Sequence, residues 1–82
     1  MLVRIFFDNR WIPVNLPDNS YSEAAVELLL DRLTQVLTHA PHRGSAGWAD
    51  LQMIELETSP DGWRTTLYLN ETAPATETLY FR

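Results

Sequence analysis

The chain has 82 residues, with eleven acidic side chains against six arginines, no lysine, no cysteine and a formal charge of −5 at neutral pH. That length makes one small domain, residues 1–82, and a 45% hydrophobic content supplies a core, which excludes a disordered chain. Without cysteine there is neither a disulfide nor a thiolate metal site, and the negative balance argues against the positive surface that nucleic acid or an anionic membrane selects.

Residues 2–7, LVRIFF, are rich in β-branched and aromatic side chains. Leu2, Arg4 and Phe6 share one face of such a strand, and Val3, Ile5 and Phe7 the other. Both faces are mostly apolar, which predicts a strand covered on both sides or lying centrally. The run is too short to span a bilayer, is broken by Arg4 and lacks the layout of a signal peptide, so it reads as the first strand of a cytoplasmic protein. Asp8-Asn9-Arg10 is a turn, and residues 11–16, WIPVNL, return as the second strand of a hairpin. Pro13 cannot donate to a ladder, which predicts an edge position or a bulge.

Residues 20–40, SYSEAAVELLLDRLTQVLTHA, form the one long periodic segment. Ser20 and Glu23 are spaced as a capping box, and Pro41 ends the helix. Ala25, Val26, Leu29, Leu30, Leu33, Val36, Leu37 and Ala40 recur at helical spacing and make a core-facing stripe. On the opposite face Glu23, Glu27 and Asp31 follow at i, i+4 and i+8, with no basic residue at i+4 from any of them. Such neighbours repel by a few tenths of a kcal/mol per pair. Leu28 lies off the stripe, beside Gln35 and His39. A solvated face with a stray leucine is one reading. An acidic surface with an apolar anchor, aimed at a basic partner, is the other.

Residues 41–50, PHRGSAGWAD, read as a loop in which Trp48 either closes the core edge or is a contact residue. His39 and His42 are three apart with Pro41 between them and no third ligand in reach, so no metal is expected. Ser45, His42 and Asp50 match a hydrolytic triad by residue type alone, because GSAG is not a nucleophile elbow. RGSAGWAD fits no phosphate-binding glycine pattern, and Glu55 and Glu57 read as solvated strand residues. No catalytic residue, cofactor or metal is expected, and the chain reads as a non-enzyme.

Residues 51–58, LQMIELET, and 63–70, WRTTLYLN, flank Ser59-Pro60-Asp61-Gly62, the clearest turn signal in the chain. Pairing Ser59 with Trp63 sets Glu57 opposite Thr65, Glu55 opposite Leu67, Ile54 opposite Tyr68 and Met53 opposite Leu69. One face then carries Ile54, Leu56 and Tyr68, and the other Leu51, Met53, Trp63, Leu67 and Leu69. A hairpin apolar on both sides needs a second cover beyond one helix, unless Thr65, Thr66, Arg64, Glu55 and Glu57 keep its outer face wet. Residues 76–82, TETLYFR, form a last strand, suited to a sheet edge where it could pair with another chain.

The expected fold is therefore α+β in the order ββαβββ, an antiparallel or mixed sheet with one amphipathic helix on one face. This layout is similar to that of small bacterial immunity and antitoxin proteins and of phage inhibitors of host defence. The likeness is one of layout and carries no motif. The function expected is an acidic protein-binding module, an inhibitor acting by stoichiometric binding to a partner with a basic surface, in the cytoplasm and without nucleic acid or membrane. Glu23, Glu27, Leu28, Asp31, Gln35 and Trp48 are its candidate contact residues. The alternative is a non-catalytic homo-oligomeric structural or accessory subunit, a homodimer being the simplest form.

Overall fold

The computed structural model describes residues 1–17, 21–39, 50–69 and 76–82. Its elements are β1 (Leu2–Phe7), β2 (Arg10–Asn15), α1 (Glu23–His39), β3 (Leu51–Ser59), β4 (Gly62–Leu69) and β5 (Thr76–Phe81). The fold is α+β in the expected order, and the five strands stand in the sheet as β1-β2-β3-β4-β5. All neighbours are antiparallel except β2 and β3, which are parallel. A parallel pair needs a long crossover, and α1 lies in it, so the sheet is mixed.

The first hairpin turns on Asp8 (φ 54°) and Asn9 (φ 64°) alone. Positive φ at both central residues is the signature of a type I′ turn, whose twist matches that of the strands, and Asp and Asn tolerate it. Arg10 is thus the first residue of β2 rather than part of the turn. Counting from the closing pair Phe7–Arg10, hydrogen-bonded pairs alternate with non-bonded ones, so Ile5–Ile12 and Val3–Val14 are bonded. Met1 and Leu16 continue the alternation, exchanging bonds of 2.9 and 2.7 Å. Pro13 falls opposite Arg4 in a non-bonded pair, so its missing donor is not needed by β1. Its nitrogen points towards β3, where the parallel ladder begins one residue later at Val14–Ile54. For that reason β2 lies inside the sheet, not at the edge or bulge expected from the proline. It is β1, expected to be central or covered on both sides, that forms the edge.

The second hairpin is one residue tighter than expected. Ser59 pairs with Gly62, not Trp63, across a Pro60–Asp61 loop. Gly62 has φ 142°, and a Cβ on it would stand 2.3 Å from the Phe81 carbonyl oxygen, so only glycine fits there. A slip of one residue turns every side chain of a strand over. Leu67 consequently faces Ile54 and Thr65 faces Leu56, and all four are buried. Glu55–Thr66 and Glu57–Arg64 face outwards. A bulge between Leu51 and Met53 lets Leu51 join the core as well. This hairpin is therefore apolar on one side rather than both, and Thr65, expected on the wet face, is fully buried. β5 forms the far edge of the sheet, with Leu79 opposite Thr65 and Phe81 opposite Trp63.

The helix starts two residues later than the expected capping box implies. The Ser22 hydroxyl accepts the Ala25 amide at 3.1 Å, and the Ser22 carbonyl accepts the Val26 amide at 3.0 Å. Ser22 is thus the N-cap and Glu23 the first helical residue, not the third residue that would reach back. Ser20, Ala40 and Pro41 lie outside the described residues. Leu29, Leu33 and Leu37 are buried, flanked by half-buried Val26, Leu30 and Val36, whereas Ala25 is exposed. The leucines pack on Ile5, Ile12, Val14, Leu16, Leu51, Ile54, Leu56, Leu67 and Phe81, a core between α1 and one face of the sheet. Among the described residues no helix is long and apolar enough to cross a membrane.

Candidate functional site

With α1 on one side of the sheet, the alternation of side chains decides what stands on the other. On β3 and β4 that outer side is mainly polar. Glu57 forms an ion pair with Arg64, and the Tyr68 hydroxyl donates to Glu55 at 2.8 Å. The Tyr68 phenol is held above its ordinary pKa, first by that hydrogen bond, then by partial desolvation and the charges of Glu55 and Glu57.

On β1 and β2 the same side is apolar. Leu2, Phe6 and Trp11 are 69%, 53% and 56% exposed. Phe6 and Trp11 are cross-strand partners in a non-bonded pair, where side chains come closest. Their rings meet edge to face, with centroids 5.3 Å apart and planes at 70°. The Arg4 guanidinium carbon lies 4.5 Å from the Trp11 ring centroid, a cation–π contact. The three side chains thus brace one another before anything else touches them.

This cluster stands at the β1 edge of the sheet, beyond which no described strand pairs. A groove of about 600 Å³ runs past β1, with Arg4, Phe6 and Trp11 on one wall and Glu27, Leu30, Asp31, Thr34 and Gln35 on the other. A second hollow of about 520 Å³ lies among Leu2, Val3, Arg4, Trp11 and Pro13. Arg4 and Trp11 line both and join them into one surface. It offers stacking faces, apolar area and two carboxylates, the means of recognising a basic and partly apolar chain.

Of the residues expected at a contact surface, Glu27, Asp31 and Gln35 are exposed and line the groove. Glu23 is exposed on the first helical turn but does not line it. Leu28 is 71% exposed, on the flank of α1 shared with Arg32, whose Nε donates to the main-chain oxygen of Arg82 at 3.0 Å. Trp48 lies outside the described residues, as do His42 and Ser45. His39 is exposed, and Asp50 stands half-buried just before β3. Among the described residues no group of three or more His, Cys, Asp or Glu could hold a metal ion. The sequence reading missed Arg4, Phe6 and Trp11. The signal was present: a two-residue Asp8-Asn9 loop by itself fixes Phe6 opposite Trp11. What hides it is that both faces of residues 2–7 are mostly apolar, which reads as a strand covered on both sides or lying centrally, while Pro13 marks the second strand as the edge.

Compared with known proteins, the chain matches no protein-family model, no curated protein and no solved structure.

Proposed function

We propose that the chain is a protein-binding module, an inhibitor that acts by stoichiometric occupation of a basic partner and not by catalysis. The observation that carries this reading is the Arg4–Trp11–Phe6 cluster on a sheet face that no described element covers. Tryptophan and arginine dominate binding hot spots, and a small protein that exposes a braced aromatic patch gives up solubility unless the patch meets a partner. Glu27 and Asp31 on the facing wall favour a partner with positive charge. The absence of cysteine suits a reducing compartment, so the cytoplasm is the proposed site of action.

The test compares wild type with Trp11→Ala and with the double variant Glu27→Lys/Asp31→Lys. Each is immobilised, exposed to lysate of the source or its host at low and high salt, and the retained proteins are quantified. A protein held in stoichiometric amount by wild type, lost by Trp11→Ala and weakened by charge reversal supports the reading. Equal retention by all three removes this face from the account. A homodimer through the same surface is the second reading, since β1 has no further strand beside it among the described residues. A monomeric mass at high micromolar concentration disposes of it.

A further inference from the structure

We infer that the partner docks as a sixth strand on β1, through an extended segment that carries basic residues at alternate positions; this rests on the binding-module reading above. The ladder leaves the Leu2, Arg4 and Phe6 main-chain groups directed away from β2, because these residues form the non-bonded pairs of the hairpin. Folded proteins usually blunt such an edge with proline, a bulge or an outstretched charge. β1 has no proline, and its pairing runs unbroken from Leu2 to Phe7. Its one charge, Arg4, is drawn over the Trp11 ring.

The flanks specify what such a strand carries. Its alternate side chains point to opposite walls. One set meets Leu2 and Phe6 and wants apolar residues. The other meets Glu27 and Asp31, which have no ion-pair partner among the described residues. The rise along a helix from Glu27 to Asp31 is about 6 Å, and the step between alternate residues of a strand is about 6.7 Å. Two basic residues at alternate positions of the added strand therefore have nearly the spacing of the two carboxylates. The other edge, β5, is a poorer competitor for a basic strand, since Arg82 follows it and Arg32 reaches towards it, while Arg64 on β4 is already paired with Glu57. A second copy also fits badly. The antiparallel register of greatest overlap sets Arg4 against Arg4 of its symmetry mate and brings two acidic helix flanks together.

The probe is the blocked peptide Arg-Val-Arg-Val-Arg, titrated into the 15N-labelled full chain and followed by amide shifts and hydrogen exchange. The expected result is slowed exchange at Leu2, Arg4 and Phe6. N-methylating one alternating set of peptide amides abolishes binding, while methylating the other is tolerated, as only one set faces β1. Glu27→Gln/Asp31→Gln weakens binding by about tenfold or more, the equivalent of one lost charge contact. Edge amides that do not respond at millimolar peptide, or binding indifferent to both methylation patterns, overturns the inference. So does a dimer in the unliganded chain that Arg4→Pro dissolves, which would give the edge to a second copy. A lysate partner that needs Trp11 yet leaves the edge amides exchanging freely overturns strand addition alone and leaves the binding-module reading standing.

Discussion

At the level of single residues the sheet holds two polar groups in unlike settings. The Thr65 hydroxyl is wholly buried and has no hydrogen-bond partner among the described residues. A buried hydroxyl without a partner costs on the order of 1–3 kcal/mol, and valine has the same shape without it. Thr65→Val is expected to raise stability by about 1 kcal/mol, seen as a higher urea midpoint at unchanged slope. Tyr68 is the opposite case, a hydroxyl whose bond to Glu55 is lost when the phenol ionises. Its pKa is raised in the folded chain above the ordinary value of 10.0, so the stabilisation it gives is complete below that value and fades as pH climbs through the folded one. Tyr68→Phe should therefore lose a little stability at neutral pH and show a flatter decline at alkaline pH. Urea midpoints measured from pH 7 to 11 would show it, and parallel curves for the two chains would refute it. Neither residue's setting was legible beforehand, because both depend on which face of β4 is inward.

At the level of elements, what the sequence revealed followed from period, and what it concealed followed from turn geometry. The leucines at 29, 33 and 37 declare a helix and its buried side by spacing alone. The helix start was less legible, since Ser20 and Ser22 both precede Glu23 and either could cap. Strand order along the two hairpins was accessible too, but the register of the second was not. A Ser59-Pro60-Asp61-Gly62 turn closes on Ser59–Gly62 or one residue beyond, and the sequence does not choose. The packing of Phe81 against the turn chooses, as the Gly62 backbone comes too near its carbonyl for a side chain. Gly62→Ala is expected to cost about 3 kcal/mol through steric overlap and an unfavourable φ, lowering the thermal midpoint of the whole domain. Asp61→Ala in the same loop, at an exposed position, should change stability by less than about 0.5 kcal/mol.

At the level of the whole molecule, the core lies on one side of the sheet and the aromatic part of the proposed contact surface on the other. The sequence allows two readings of β3–β4, a second apolar face without a cover or an outer face kept wet by polar residues. The tighter register makes the outer side of β3–β4 mainly polar, and exposed apolar side chains stand on β1–β2, among them Trp11 and Phe6. Because Trp11 is more than half exposed, Trp11→Ala should destabilise the fold by only about 1 kcal/mol, whereas Leu33→Ala, in the middle of the core, should cost about 3 kcal/mol. Paired denaturation and partner-binding measurements on both variants check the division. On the proposed binding-module reading, Trp11→Ala keeps the fold and loses binding, while Leu33→Ala loses stability and binds normally in whatever fraction remains folded.

The parallel junction between β2 and β3 has a consequence in time. It spans two residue pairs, Val14–Ile54 and Asn15–Glu55, joining positions forty apart in the chain. Every other ladder is antiparallel and joins positions much nearer in sequence. Loop closure over that distance comes before any reward, so the two parts of the sheet form early and merge late. Val14→Ala should accordingly speed unfolding more than it slows refolding, whereas Gly62→Ala, in a turn that closes sooner, should slow refolding. A chain newly leaving the ribosome completes β1 and β2 before the residues of β3 exist. Until then β2 lacks its parallel neighbour, so the strand pair that carries Trp11 and Phe6 waits for the rest of its sheet.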